Sequence, residues 1–295
     1  MRRIEEKFRE LKRRGEGALI AYITCGDPTF EYSLKIVDAL VEGGIDMLEL
    51  GIPFSDPIAD GPTIQRAVVR ALNSHIKPVN ALEMAKKISA KYDLPVIILS
   101  YYNIIYRSGL ENFFNLAAES GVSGVIVPDL PIEEALEYKT IAKKYDIDTI
   151  FLAAPSTSND RLKRIIEFSS GFLYLVSVYG VTGARRKLRK ESISFIRRAS
   201  SISKGKIPLA VGFGISKPSH IRNALANGAD GVIVGSMLIN IIERNLGNKE
   251  KMLTELKNYA KNLKAQRENS SKQFCLQQDL QNLIYNDRIS PALFS

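Results

Sequence analysis

The 295-residue chain has no tryptophan, two cysteines and two histidines, and each scarcity removes a class of chemistry. Cys25 and Cys275 are too few for a disulfide framework or a thiolate zinc site, a usage that suits a reducing compartment. His75 and His220 cannot build a multi-histidine centre, so no metal is expected. No apolar run approaches the roughly 20 residues that span a bilayer, and the charged N-terminus lacks a signal-peptide core. The expectation is a cytoplasmic protein without membrane contact, whose catalysis leans on neither histidine nor metal. What is present is ordinary globular composition, 45% hydrophobic and 25% charged. A chain of this length can bury a large core.

Lys and Arg number 41 against 32 Asp and Glu, a net charge of +9. The bases concentrate in Met1 to Arg14 and in Arg185, Arg186, Lys187, Arg189 and Lys190. In the first stretch Glu5, Glu6 and Glu10 interleave with the bases at helical spacing, which reads as a solvated amphipathic helix. The second has no carboxylate among its bases and could attract a phosphate ester or an acidic surface. Zinc-finger spacing and aromatic RNA-binding signatures are both missing, so nucleic acid is not expected as a partner.

Short runs rich in Ile, Val and Leu begin near Ala18, Ile45, Pro95, Val122, Asp148, Phe172, Ile207 and Ala229. Stretches of helical periodicity lie between them, including Ser33 to Val41, Ala81 to Ile88 and Ile132 to Tyr145. Eight alternations of strand and helix predict an α/β fold, a (β/α)₈ TIM barrel with an N-terminal helix. A doubly wound sheet also alternates. The barrel is favoured because polar residues and glycines collect at the C-terminal ends of early and late strands alike: Glu49, Asp129, Gly212 with Gly214, and Gly235 with Ser236. The longer intervals after the second and sixth runs leave room for extended loops over that face. Residues 1–265 form the barrel domain on this reading. They contain one glutamine, Gln65, whereas residues 266–295 contain five, which marks a polar tail, disordered or appended.

In Ile45 to Gly51, alternation puts Met47 and Glu49 on one face and Leu48 and Leu50 on the other. With the leucines toward the helices, Glu49 points into the barrel mouth. Desolvation there raises a carboxyl's pKa, as a general acid near neutral pH requires. The loop that follows carries Asp56 and Asp60 among Pro53, Pro57 and Pro62. Turn chemistry readily explains one Asp; for two beside an isolated Glu, turn chemistry and a second acid/base or hydrogen-bonding carboxylate are equally good readings. Glycines on the last strand ends let backbone N–H groups approach a phosphate at helix N-termini. Tyr22, Leu99, Tyr101, Val127, Asp129 and Tyr174 are candidates for the pocket wall. The apolar ones fit core packing equally well, and Asp129 fits a cap for the helix that follows it.

The stretch Leu48 to Gln65, LELGIPFSDPIADGPTIQ, resembles the signature of the tryptophan synthase α-subunit family. The similarity runs from about Ala18 to about residue 245, through Tyr101-Tyr102-Asn103, VPDLPIEE, YGVTG, GFGIS and VGS. The resemblance implies a barrel that cleaves indole-3-glycerol phosphate to indole and glyceraldehyde 3-phosphate. It implies no cofactor in this chain and a separate β subunit, carrying pyridoxal phosphate, as partner. By position, it makes Glu49 the acid/base at indole C3 and Asp60 the carboxylate that accepts the indole N–H. Asp56 falls to partner contact or loop order. Gly183, Gly214, Gly235 and Ser236 fall to the phosphate, and Thr182 to a loop that closes over the substrate. Tyr101 and Tyr174 match tyrosines of the family. Val178-Tyr179-Gly180 and Ile104 depart from the family's usual Arg-Ala-Gly and proline. Two alternatives share these residues: a stand-alone lyase that releases free indole, and a weakly catalytic barrel that mainly activates a β subunit.

Overall fold

A computed structural model describes residues 3–176, 190–212 and 218–267 of the chain. Its parallel strands are β1 (Ala18–Thr24), β2 (Met47–Gly51), β3 (Val96–Leu99), β4 (Val122–Ile126), β5 (Asp148–Ile150), β6 (Leu152–Ala153), β7 (Leu173–Val176), β8 (Leu209–Gly212) and β9 (Gly231–Val234). They pair in the order β5-β4-β3-β2-β1-β9-β8-β7-β6. The two edges, β5 and β6, are separated along the chain by Phe151 alone. The Phe151 carbonyl accepts from Tyr174 N–H at 3.0 Å, so this single stave bonds to β4 on one side and to β7 on the other. The nine strands are therefore eight staves of a closed (β/α)₈ barrel. Every residue of β1, β2, β3 and β4 is buried, as expected of parallel strands covered on both faces.

The helices are α1 (Arg3–Arg13), α2 (Phe30–Gly43), α3 (Pro62–Asn73), α4 (Pro78–Lys91), α5 (Tyr102–Ser108), α6 (Leu110–Glu119), α7 (Leu136–Lys144), α8 (Asn159–Phe168), α9 (Lys190–Ser203), α10 (Pro218–Leu225), α11 (Ser236–Arg244) and α12 (249–267). Thr29 starts α2 by accepting from Tyr32 N–H at 3.3 Å, and Gly44 ends it in the left-handed region at φ 90°. The long interval after β2 is filled mainly by α3 and α4, behind a loop of residues 52–61. The matching interval after the sixth run includes residues 177–189, which lie outside the described residues.

α1 is more than a solvated helix. Ile4, Phe8 and Leu11 are buried, and the Phe8 ring lies 5.9 Å from that of Phe172, so the apolar face closes the N-terminal end of the barrel. At roughly 1.5–3 kcal/mol for each large apolar side chain, this plug is a sizeable contribution to stability. The C-terminal boundary also moves. α12 runs past residue 265: Gln266 accepts from Arg222, and Arg267 is buried beneath β1 and β2. There Arg267 pairs with Asp46 and with Glu16 (3.2 Å) and donates to the Gly17 carbonyl at 3.2 Å. These two residues belong to the barrel, and residues 268–295 lie outside the described residues.

Candidate active site

Glu49 lies mid-strand in β2, level with Tyr22 of β1 and Ile97 of β3. It is fully buried, and neither carboxylate oxygen has a hydrogen-bond partner among the described residues. Burial, with a smaller contribution from the Asp60 charge, pushes its pKa up to about 8. A bare buried carboxylate would cost several kcal/mol, so the group holds its proton at neutral pH. Asp60 sits two residues before α3, half-buried. Its Oδ2 accepts from the Tyr101 hydroxyl at 3.0 Å, and that hydroxyl accepts from Ala59 N–H at 3.1 Å. Burial raises Asp60 to about 6, while the Tyr101 hydrogen bond opposes the rise. The Phe54 ring stacks at 5.2 Å on Tyr101, and Gln65 Nε2 holds the Asp60 carbonyl at 2.9 Å. Between about pH 6 and 8 the pair is one neutral acid and one anion.

Tyr22 and Tyr174 complete the walls. Both phenols are buried and pushed well up, first by burial and then by nearby Asp60 and Glu49. They remain neutral donors. The Tyr22 hydroxyl lies 3.2 Å from Thr24 Oγ1. Their rings require glycine opposite: a Cβ on Gly51 would stand 2.5 Å from the Tyr22 hydroxyl, and one on Gly212 would stand 2.3 Å from that of Tyr174. The sequence offered Gly212 as a strand end where backbone N–H groups approach a phosphate; its clearance for the Tyr174 ring was not legible, because that depends on a side chain distant in the chain.

Leu99 ends β3 and Val127 follows β4, both buried. Asp129 corrects an expectation. It is exposed, and its two oxygens accept from Tyr102 N–H at 3.0 and 3.2 Å. It caps α5, which follows the neighbouring strand, and not the helix that comes after it in sequence. Asp56 is exposed in the loop after β2, beside Ile58, which is 72% exposed. Ile58 escaped sequence reading, although an isoleucine between Asp56 and Asp60 in a proline-rich loop was a usable signal. Gly235 is the N-cap of α11 and Ser236 its first residue. The first N–H groups of such a helix lack intrahelical acceptors and attract anions. Thr182, Gly183, Gly214, Arg185 and Arg186 lie outside the described residues.

Among the described residues no cluster of three or more His, Cys, Asp or Glu could hold a metal. No described helix is long and apolar enough to cross a membrane. Cys25 is buried, which pushes its thiol up to about 12 and keeps it un-ionised. An open cleft of about 800 Å³ runs along α1, lined by Arg3, Lys7, Glu10 and Asp93, at the end of the barrel away from Glu49. Arg3 pairs with Asp93 at 3.0 Å and Lys7 with Glu10 at 2.7 Å, and with Arg9, Lys12 and Arg13 also on its wall the cleft is net basic.

The tryptophan synthase alpha chain family matches residues 8–268. The chain belongs to this family. Its relatives include the tryptophan synthase alpha chains of Methanoregula boonei, 46% identical over 90% of this chain and 98% of that one, and of Methanocaldococcus jannaschii, 50% identical over 83% and 86%. Among solved structures it resembles a chain of the tryptophan synthase α2β2 complex of Pyrococcus furiosus, with TM-score 0.79 and 44% identity over 84% of this chain and 98% of that one. A protein of Aquifex aeolicus superposes with TM-score 0.81 and 39% identity over 90% and 99%. The family match extends through Arg267, in agreement with the packing of α12.

Proposed function

We propose that this chain is the α subunit of a tryptophan synthase, a carbon–carbon lyase that cleaves indole-3-glycerol phosphate to indole and glyceraldehyde 3-phosphate. The observation that carries the reading is the pair of carboxyls: Glu49 buried, protonated and without a hydrogen-bond partner among the described residues, beside Asp60 ionised and held by Tyr101. Glu49 donates its proton to indole C3, which makes the ring an electron sink. Asp60 accepts the indole N–H and stabilises the positive charge that this protonation creates. The bond from C3 to the glycerol carbon then breaks, and its electron pair restores the aromatic ring. The adjacent hydroxyl becomes the aldehyde carbonyl and returns its proton to the Glu49 carboxylate, so the catalyst is regenerated. The first turn of α11, at Gly235 and Ser236, receives the phosphate, and Leu99, Tyr22 and Tyr174 flank the substrate.

The exposed Asp56–Ile58 edge supports a β subunit as partner, and the kinship with the Pyrococcus furiosus complex agrees. Pyridoxal phosphate belongs to that partner, since this chain's site performs acid/base chemistry without a cofactor. The cytoplasm is the compartment that suits its substrates. The deciding experiment measures indole release by the full chain, with and without a β subunit, for wild type, Glu49→Gln and Asp60→Asn. Slow release that rises with the β subunit and is lost in both variants is expected. Fast release by the chain alone would instead identify a stand-alone lyase. No release under either condition would overturn the catalytic reading and leave a barrel that binds and activates its partner.

A further inference from the structure

Outside the pocket, four charged side chains form one continuous network behind the mouth of the barrel. Asp27, in the turn after β1, is 1% exposed. Arg70 grips its carboxylate with two bonds, Nε to Oδ1 at 2.7 Å and Nη2 to Oδ2 at 2.9 Å. The remaining nitrogen, Nη1, reaches Glu243 Oε1 at 3.1 Å. Glu243 is itself gripped by Arg66, at 2.7 and 2.9 Å.

Each of the three joined elements carries a part of the site. Arg66 and Arg70 are one turn apart on α3, whose N-cap, Gly61, directly follows Asp60. Gln65, on the same helix, holds the Asp60 carbonyl. Glu243 lies in the last turn of α11, the helix that begins at Gly235 and Ser236. Asp27 follows Tyr22 and Thr24 at the end of β1. α3 and α11 also pack directly against each other. A planar guanidinium fork on a carboxylate has one good geometry, and so fixes their register.

We propose that Arg70 is a positioning residue that sets Asp60 relative to the phosphate-binding end of α11. The inference rests on the reading of α11 as the phosphate site. Lysine at position 70 keeps the charge and loses the fork, so Arg70→Lys separates register from net charge. A displacement of a fraction of an ångström between anchor and acid is costly, since misplacement by about 1 Å can cost 10²-fold.

The test measures steady-state indole release across pH for full-length wild type and Arg70→Lys with a β subunit, and calorimetric binding of glycerol 3-phosphate to each. The expected result is a KM raised and a kcat lowered so that kcat/KM falls about tenfold, glycerol 3-phosphate bound several-fold more weakly, and a displaced acidic limb of the pH profile. A purely structural role would lower only the folded fraction, leaving KM and the pH profile as in wild type. That result would overturn the proposal. If Arg70→Lys folds poorly, Glu243→Gln, which leaves the Asp27–Arg70 grip in place, should change KM and the phosphate affinity in the same direction by less. Wild-type KM and phosphate affinity in that variant would also overturn it. Wild type that fails to bind glycerol 3-phosphate removes the phosphate site and the proposal together. Normal wild-type binding that Arg70→Lys leaves unchanged removes the proposal alone.

Discussion

Asp46 and Glu49 lie three residues apart, Asp46 just before β2 and Glu49 in its middle, both buried, and the chain treats them in opposite ways. Asp46 accepts from Leu19 N–H at 2.7 Å and pairs with Arg267. Glu49 is offered no hydrogen bond by any described residue. The same contrast separates the two ends of the barrel. At the N-terminal end α1 supplies an apolar plug and α12 brings an arginine to the buried carboxylate. At the C-terminal end Tyr22 and Tyr174, with glycines packed against their rings, surround a buried acid that keeps its proton. One end is organised for stability, and the other gives up stability to keep a reactive group.

Glu49→Gln should break this comparison with the largest effect. Activity is expected to fall by about 10³-fold or more, as for loss of an acid/base group. The same variant should gain stability at neutral pH. The carboxyl's pKa rises from 4.5 in the unfolded chain to about 8 in the fold, so the folded state binds more protons. Wild-type stability is then fullest below pH 4.5 and declines as pH rises through 8. Relief at pH 7 is up to about 3 kcal/mol. Urea melts at pH 5 and 8 check this: the variant's advantage must grow with pH, and an advantage independent of pH would contradict a strained carboxyl.

Asp46→Asn should do the reverse. It leaves Arg267 buried with Glu16 as its remaining counter-charge and is expected to cost up to about 3 kcal/mol, while kcat per folded molecule stays at the wild-type value. A loss of kcat in fully folded Asp46→Asn would mean that the two ends are not separable.

Tyr101→Phe should give the smallest change. It removes the hydrogen bond that holds Asp60 down, so the acidic limb of the rate profile should move above pH 6. A rate loss of about tenfold at pH 7 is expected from a looser Asp60. An acidic limb that stays put would show that Asp60 is not the group titrating there.

Much of this was legible before any coordinates. The alternation that turned Leu48 and Leu50 outward left Glu49 inside, because a strand's period of two allows no other arrangement. The helices near Ser33 to Val41 and Ala81 to Ile88 stand within α2 and α4, slightly longer than their apolar cores. Ile132 to Tyr145 was less exact: α7 starts at Leu136, and turns take up the preceding residues. The tail boundary failed for a clear reason. Glutamine enrichment starts at Gln266, but Arg267 is held by Asp46 and Gly17, some 220 to 250 residues earlier.

The sequence by itself determined the strand-and-helix alternation, the inward direction of Glu49 and the family to which the chain belongs, because these depend on local period and on a contiguous motif. Only the tertiary structure decided that Tyr101 holds Asp60 across 41 residues, that Asp129 caps another strand's helix, and that Arg70 ties three elements together. The physical reason is the range of the interactions. Backbone pattern is set by neighbours in sequence, whereas a hydrogen bond or ion pair acts over about 3 Å in space, and the closing of the barrel determines which distant residues come within it.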